Sequence, residues 1–202
     1  MTMQYTIHRF ESVTSTNDVV IGMAEDGAPE GTVVIAREQT AGRGRRGRKW
    51  QSSAGGLYLS IVLRPGLPIE RHQEIAYVAS LAACEAVRRV SGLDARIKQP
   101  NDILLNGRKV CGILVEARAA RGRGGERARG RPVVVGIGVN VNNAEFPPEI
   151  AGKATSIALE VGHAVSLKKM EEALLSSLAA RYEQLLSEGF EPVFQAWAEV
   201  QR

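Results

Sequence analysis

The chain has 202 residues, 44% of them hydrophobic and 24% charged, which fits one globular domain and excludes an intrinsically disordered chain. No apolar run approaches the roughly 18–20 residues of a membrane-spanning helix, and the start of the chain lacks the apolar block of a signal peptide, so we expect a cytoplasmic protein. The net charge is +4, but the basic residues are concentrated in two segments: residues 42–50 carry five basic groups and no acid, and residues 118–131 carry six arginines against one glutamate. This distribution excludes a protein whose whole surface is basic.

The N-terminal segment predicts a strand followed by a helix. Alternating residues over 5–10 (YTIHRF) are typical of a strand. The segment STNDVVIGMAEDG then predicts a helix that ends at Gly27. Three residues could cap its first turn: Ser15, Thr16 or Asn17. Three apolar side chains should face the core: Val19, Val20 and Met23.

The next segments predict two strands and a long helix. Residues 31–38 (GTVVIARE) and 57–64 (LYLSIVLR) have strand composition and flank the first basic loop. Over 70–90, apolar residues recur near helical spacing, and Gly92 ends the run. The apolar set of this helix is Ile75, Val78, Leu81, Val87 and Val90.

The second half predicts a hairpin, a buried strand and a further helix. Asn106-Gly107 suits the positive φ angles of a type I′ turn, so DILL (102–105) and KVCGILVEA (109–117) should form a hairpin. Residues 118–132, rich in Arg, Gly and Ala, are typical of a mobile loop, and 133–143 (VVVGIGVNVNN) of a buried strand. An amphipathic helix is expected over 166–188, with an apolar face formed by Leu167, Met170, Leu174, Leu178 and Leu185.

Together these elements indicate one α+β domain whose sheet contains hairpins. No internal repeat or linker divides the chain before residue 150. Cys84 and Cys111 both lie in apolar runs, so we expect buried free thiols. The sequence contains no P-loop, no HExxH motif and no cluster with metal-ligand spacing.

The basic loop TAGRGRRGRKW, residues 40–50, is the first candidate site. Glycine lets the backbone approach a ligand closely, and the arginine fork matches the oxygens of phosphate or carboxylate. From the residues alone three interpretations stay open: a solvated loop, an RNA-binding patch, or a phosphate-binding loop of an active site. RNA-binding surfaces usually add several exposed aromatic residues, and here only Trp50 is nearby.

Two further segments place polar residues beside strands. The predicted hairpin carries four of them, as solvated charge or as ligand-binding groups: Lys98, Asn101, Asp102 and Lys109. In GIGVNVN, Gly136 and Gly138 indicate either a close approach of a ligand to the backbone or a bulge. Asn140 and Asn142 of the same segment could then supply hydrogen bonds.

In chain order, the motifs STN, REQTAGRGRRGRKW, LYLSIVLRP, KQPNDILLNGRKVCGILVE, VVVGIGVNVN and ATSI resemble the catalytic domain of biotin–protein ligases, over roughly residues 8–160. The resemblance implies an α+β fold with a mixed, largely antiparallel sheet packed with helices, related to class II aminoacyl-tRNA synthetases. It implies a single catalytic domain over 1–202. That domain would make biotinyl-5′-AMP and pyrophosphate from biotin and MgATP, then transfer biotin to a lysine of a biotin carboxyl carrier protein.

The resemblance also implies which residues contact biotin. Arg43, Arg45 and Lys109 would be the catalytic cations, because they can neutralise the biotin carboxylate and the α-phosphate and stabilise the charge that develops on phosphorus. The implied biotin-binding set is Ser15, Thr16, Asn17, Gln39, Arg43, Gly44, Arg45, Lys109, Gly112 and Gly136.

The nucleotide would contact a second set of residues. The implied set is Arg48, Lys49, Trp50, Asn101 and Asn140, with the indole as a neighbour of adenine. Magnesium would be held mainly by the ATP phosphates, with help from Asp102. Enzymes of this kind close a glycine-rich basic loop over the adenylate, which shields the mixed anhydride from water.

The chain departs from the family pattern in three places. Gln99 stands where these ligases usually have the tryptophan of KWPND, and the Arg-rich segment 118–131 is longer and more basic than the connection requires. We also expect the usual C-terminal SH3-like domain to be absent or truncated, because the sequence ends at Arg202.

The expected partners are a biotin carboxyl carrier protein, biotin and ATP. No helix-turn-helix motif precedes YTIHRFESV, so no specific DNA binding is expected. No membrane partner is expected either, and the protein would be a monomer or a homodimer. Two alternative functions remain: a lipoate or octanoate ligase or transferase of the same fold, and a non-enzymatic RNA-binding protein that uses its Arg-Gly loops.

Overall fold

The computed structural model describes residues 3–99, 101–117 and 131–201. Within them, seven strands and six helices follow one another. Their bounds in chain order are β1 (Thr6–Val13), α1 (Thr16–Glu25), β2 (Thr32–Gln39), β3 (Leu57–Leu63), α2 (Glu74–Ser91), β4 (Arg96–Lys98), β5 (Asp102–Leu105), β6 (Arg108–Ala117), β7 (Val133–Val139), α3 (Pro148–Ala151), α4 (Ile157–Val161), α5 (Leu167–Glu188) and α6 (Phe190–Glu199).

The strands form one mixed sheet in the order β1-β2-β3-β7-β6-β5-β4. β1 pairs with β2 in parallel, and all other neighbours are antiparallel. The predicted hairpin is confirmed as β5 and β6, which turn through Asn106 and Gly107 with φ values of 48° and 78°. The α+β class with a largely antiparallel sheet is therefore confirmed.

The predicted elements are confirmed with shifted ends. β1 runs on to Val13, three residues beyond the predicted end. α2 begins at Glu74, later than expected, because a short 3₁₀ turn over Ile69–Arg71 follows Pro68. β7 ends at Val139, where the chain leaves the sheet. The loop predicted over 118–132 falls on residues that, from 118 to 130, lie outside the described part of the chain.

Helices cover the two faces of the sheet unequally. α2, α5 and α6 pack on one face, where the larger core contains Val33, Ile35 and Trp197. Val34 lies between two of these residues and points the opposite way, because successive strand side chains alternate between faces. On that second face a smaller cluster joins α1 to the strands, and its buried members are Val20, Ile21, Ala24, Val34, Val62 and Val134.

The expected helix patterns hold with one exception. Val19 and Met23 pack against the core as expected, although only partly buried, and Ile21 and Ala24 are buried beside Val20. Leu167, expected in the apolar face of α5, is 39% exposed because it is the first residue after the cap Ser166 and lies beyond the packed part of the helix. The other expected apolar residues of α5 are buried.

The two cysteines are buried and unpaired, as predicted. Burial raises the pKa of the Cys84 thiol to about 11 and also raises the pKa of Cys111, so both are expected to stay protonated at neutral pH. In the described ranges, no helix is both long and apolar enough to cross a membrane.

Candidate functional site

A cavity of about 330 Å³ opens on the face of the sheet that α1 only partly covers. It is bounded by the start of α1, the basic loop that links β2 to β3, the β5–β6 hairpin and the end of β7. The residues expected from the sequence to bind ligand that line it are Ser15, Thr16, Asn17, Gln39, Arg43, Gly44, Arg45, Arg48, Lys49, Trp50, Asn101, Asp102, Lys109, Gly112 and Gly136. The fold therefore brings together groups that lie as far apart in the chain as Ser15 and Gly136.

Glycines form the floor of the cavity. Gly112 on β6 lies opposite Gly138 on β7 in the sheet register, so neither strand presents a side chain there. The indole of Trp50 occupies this space: a Cβ added to Gly138 would lie 2.3 Å from Trp50 Nε1, and one added to Gly112 would lie 3.0 Å from Cζ3. At Gly136, a Cβ would lie 2.1 Å from Asn17 Oδ1. For Gly136 and Gly138 the sequence predicts a close approach of a ligand or a bulge, and in the structure the groups that approach them are the side chains of Asn17 and Trp50.

Hydroxyl and amide groups make one end of the cavity polar. Gln39 Oε1 accepts hydrogen bonds from Thr16, at 2.8 Å from its backbone nitrogen and 3.0 Å from Oγ1. Ser60 Oγ lies 2.7 Å from Thr16 Oγ1 and 2.5 Å from Asn17 Oδ1. Ser15 is the residue before α1, but its side chain makes no capping hydrogen bond. The network fixes the two side chains of α1 that face the cavity.

The basic loop has a defined shape. Trp50 donates its backbone N–H to Gly42 at 2.9 Å, and Gly44 donates to Arg48 at 2.7 Å, so residues 42–50 form a narrow hairpin. Its tip turns through Arg46, with φ of 56°, and Gly47, with φ of 73°. The base is tied to the polar end of the cavity, since Gln39 Nε2 donates to Ser52 Oγ at 2.8 Å.

The cavity is strongly cationic. Seven of the side chains that line it are basic: Arg43, Arg45, Arg46, Arg48, Lys49, Lys98 and Lys109. Asp102 is the acidic residue among the described residues that line it, and its Oδ1 lies 2.6 Å from Lys109 Nζ. Lys109 Nζ also lies 5.2 Å from the centroid of the Trp50 ring. This balance favours a ligand with more than one negative charge.

Two of the expected nucleotide-binding residues, Asn101 and Asn140, have different surroundings. Asn101 lines the cavity, donates from Nδ2 to the Ile113 carbonyl at 2.7 Å and accepts from Arg45 at 3.1 Å. Asn140 does not line the cavity, although the resemblance places it near adenine. It is buried, and its Nδ2 donates to the Thr155 carbonyl at 3.0 Å. Because β7 has already left the sheet at this point, the side chain turns towards the segment before α4.

Three side chains that the sequence did not single out belong to the site. Ser60 is the polar residue of the otherwise apolar strand LYLSIVL, a signal that could have identified it. Glu116 ends the run GILVE and contacts both Asn17 and Arg43, which no local pattern indicates. Tyr58 lines the cavity and donates its hydroxyl to the Ser53 carbonyl at 2.6 Å.

The described residues contain no cluster of three or more His, Cys, Asp or Glu side chains that could hold a metal ion by itself. Asp102, the one carboxylate among the described residues that line the cavity, suits an ion that enters with a substrate, because magnesium is usually bound through one or two carboxylates together with substrate phosphates. The donor set therefore fits magnesium carried by a nucleotide.

The chain is similar to ligases that act on biotin or lipoate. Residues 9–140 match the model of the Biotin/lipoate A/B protein ligase family. The biotin–[acetyl-CoA-carboxylase] ligase of Paracoccus denitrificans is 39% identical over 188 residues, which is 91% of this chain and 75% of that protein. The bifunctional ligase/repressor BirA of Bacillus subtilis is 37% identical over 188 residues, 92% of this chain and 56% of that protein. This chain thus spans about half the length of that relative.

A solved structure has the same fold. The biotin protein ligase from Aquifex aeolicus in complex with biotin and ATP aligns with a TM-score of 0.81 and 27% sequence identity, covering 97% of this chain and 78% of that one.

Proposed function

Because the chain belongs to the biotin/lipoate A/B protein ligase family, we propose that it is the catalytic domain of a biotin–protein ligase. It activates biotin with MgATP and transfers biotin to a lysine of a biotin carboxyl carrier protein. The observation that carries this proposal is the division of one cavity into a neutral polar end and a cationic end.

The two ends of the cavity match the two ends of biotin. The hydroxyl and amide groups of Thr16, Asn17 and Gln39 supply the paired donors and acceptors that a ureido ring needs. A lipoyl or octanoyl chain has no such polar ring, so a network of this kind favours biotin within the family. The cationic end suits the biotin carboxylate and the phosphates of ATP.

In the first step, a carboxylate oxygen of biotin attacks the α-phosphorus of ATP. A new P–O bond forms while the bond from the α-phosphorus to the bridging oxygen breaks, and pyrophosphate leaves. Lys109 and Arg45 stabilise the charge on the transferred phosphoryl oxygens, and no side chain needs to be a covalent nucleophile. In the second step, the amine of the carrier lysine forms an amide bond to the acyl carbon, the bond from that carbon to the phosphate oxygen breaks, and AMP and a proton are released.

Magnesium bound to the ATP phosphates would offset part of their charge. Asp102 would hold it from the protein side, and Lys109, which pairs with Asp102, would then turn fully to the substrate oxygens. Trp50 lies at the glycine floor next to Lys109 and would offer its ring to the adenine.

The test is an incubation with biotin, MgATP and a biotin carrier domain, followed by a streptavidin blot and a pyrophosphate assay. We expect pyrophosphate release that depends on biotin, and a labelled carrier. Lipoate and octanoate replace biotin in parallel reactions, and activity with either of them alone would assign the chain to the other branch of the family. Tight, steeply salt-dependent RNA binding without pyrophosphate release would support the non-enzymatic alternative.

A further inference from the structure

Two carboxylates hold the guanidinium of Arg43. Glu116 accepts from both terminal nitrogens, at 3.2 Å from Nη1 to Oε1 and 2.7 Å from Nη2 to Oε2. Asp18 Oδ1 accepts from Nη2 at 2.6 Å. The Glu116 side chain is 18% exposed and that of Asp18 is 48% exposed. Glu116 binds the Arg43 guanidinium more strongly than Asp18 does, because its contact is bidentate and less screened by water.

The same glutamate also binds Asn17 at the polar end of the cavity. Asn17 Nδ2 donates to Glu116 Oε2 at 2.9 Å. A carboxylate only accepts hydrogen bonds, so this contact decides which end of the Asn17 amide faces β6 and turns Oδ1 towards Ser60. One side chain of β6 therefore joins the start of α1 to the basic loop.

Arg45 has different surroundings from Arg43. Its Nη1 donates to the neutral oxygen of Asn101 at 3.1 Å. Among the ion pairs of the described residues, none involves Arg45. The charge of Arg45 is available to a ligand, whereas acids of the chain itself already neutralise that of Arg43.

From these contacts we infer that Glu116 is a positioning residue with two functions. Through Arg43 it holds the basic loop, residues 42–50, over the cavity, and through Asn17 it sets the amide that faces the ureido end. Asp18 assists in the first function. Binding at the ureido end and retention of the adenylate under the loop are thereby coupled through one carboxylate. The expected effects on adenylate retention and on the KM for biotin rest on the proposed function, whereas the closure of the loop does not depend on it.

Three variants separate the two functions. Glu116→Ala removes both contacts. Glu116→Gln keeps an oxygen that can accept from Asn17 but loses the charge and the second contact to Arg43. Asp18→Asn weakens only the assisting contact. Glu172→Gln is the matched control, because Glu172 belongs to an exposed pair with Lys168 on α5.

Loop closure is measured on the protein without ligand, by limited trypsin digestion and mass spectrometry of cleavage between residues 43 and 49. A hydrogen bond to a charged group is worth roughly a factor of ten or more in an equilibrium constant. We expect cleavage in this loop to be about tenfold faster in Glu116→Ala and Glu116→Gln, and unchanged in Glu172→Gln. Equal cleavage rates in the wild type and both Glu116 variants would overturn the closing function, whatever reaction the protein catalyses.

Adenylate retention is measured as pyrophosphate released without carrier protein. The wild type should stop near one equivalent, whereas Glu116→Ala and Glu116→Gln should continue because the intermediate escapes. The KM for biotin should rise about tenfold in Glu116→Ala and clearly less in Glu116→Gln. If the wild type makes no adenylate, the proposed function fails and the digestion result still stands.

The pair Arg43→Ala and Arg43→Ala/Glu116→Ala checks that Glu116 acts through its two partners. In the Arg43→Ala background, loss of Glu116 should give no further rise in adenylate escape or loop cleavage. It should still raise the KM for biotin, because the contact with Asn17 is independent of Arg43. Additive effects on loop cleavage would show that Glu116 does not act through Arg43 and would overturn the inference.

Discussion

Lys109 lies between an acid and an aromatic ring at the centre of the cavity. Its Nζ is 2.6 Å from Asp102 Oδ1 and 5.2 Å from the centroid of the Trp50 ring. Its backbone is also held from outside the β5–β6 hairpin, since its N–H donates to the Lys153 carbonyl at 2.8 Å. The ammonium is therefore positioned before any substrate binds, which is the condition for electrostatic catalysis without reorganisation.

Lys109→Ala should lower the rate of adenylate formation by roughly a hundredfold to a thousandfold, the range for loss of one preorganised charge-stabilising group. The fold should persist, because the Lys109 side chain is 31% exposed and such ion pairs contribute little to stability. Pyrophosphate release measures the first effect and thermal unfolding the second. Lys168→Ala, at an 84% exposed side chain, is the control. A Lys109→Ala protein with wild-type activity would remove this residue from the mechanism.

At the scale of elements, β6 and β7 shape the site because glycines leave the strands without side chains at the cavity floor. Gly112 and Gly138 face each other across the two strands, and the indole of Trp50 lies on the space between them. Trp50 Nε1 is buried there without a hydrogen-bond partner among the described residues. A buried donor without a partner costs about 1–3 kcal/mol, so a ligand that accepts from this nitrogen would gain affinity.

Gly138→Ala should displace Trp50, because the new Cβ would lie 2.3 Å from Nε1. The expected result is altered fluorescence from Trp50 and a roughly tenfold weaker binding of ATP, since overpacking typically costs 1–3 kcal/mol. Titration of ATP with tryptophan emission as the signal measures both, because the second tryptophan, Trp197, is 2% exposed in the core. Gly152→Ala, where a Cβ meets no atom within 4 Å, should change neither quantity.

A buried acid fastens the β5–β6 hairpin to α4. Glu160 accepts from Thr155 Oγ1 at 2.5 Å, from Asn106 Nδ2 at 2.7 Å and from Arg108 Nη2 at 2.6 Å. Burial by itself raises the pKa of Glu160, but the hydrogen bonds from Thr155 and Asn106 and the charge of Arg108 outweigh it, so the pKa is lowered from 4.5. The folded state thus favours the ionised form.

The stability that Glu160 contributes should be fully present above its ordinary pKa of 4.5 and should be lost as the pH falls through its lowered value in the folded state. Glu160→Gln should therefore be less stable than the wild type at neutral pH, with a difference that shrinks below pH 4.5. Urea unfolding at several pH values measures this, with Glu172→Gln as the exposed control. A difference that stays constant down to the lowest pH would contradict the assignment.

At the scale of the whole molecule, an aromatic cluster joins the last helix to α2. The ring of Trp197 lies 4.7 Å from that of Tyr77, and its Nε1 donates to Ser80 Oγ at 3.0 Å. Phe190 and Phe194 extend the contact. This cluster lies on the face of the sheet opposite the cavity, so it supports the site only through the sheet.

Trp197→Ala should lower the free energy of unfolding by about 3–5 kcal/mol, the usual cost of removing a buried large aromatic side chain. Denaturant unfolding followed by circular dichroism measures this. Leu186→Ala, at a 48% exposed position, should stay within about 0.5 kcal/mol of the wild type. An equal loss of unfolding free energy in both variants would indicate that the aromatic cluster does not stabilise the packing of α6.

The sequence by itself determined six of the seven strands, the helices α1, α2 and α5, the β5–β6 hairpin and the residues of the basic loop, but it did not indicate β4, α3, α4 or α6. These features depend on local periodicity and turn chemistry, which act over a few neighbouring residues. Motif order also indicated fifteen of the described residues that line the cavity, whereas Asn140 lies outside it, because the path of the chain after β7 turns its side chain towards Thr155.

Only the tertiary structure decided which groups face one another across the cavity. Ser60 meets Asn17 across 43 positions, and Glu116 meets Asn17 across 99 and Arg43 across 73. Contacts of this separation leave no periodic trace, because each depends on the sheet register that places β3, β6 and β7 side by side. The same register places Gly112 of β6 opposite Gly138 of β7, and the indole of Trp50 packs over both, which no spacing along the chain could indicate.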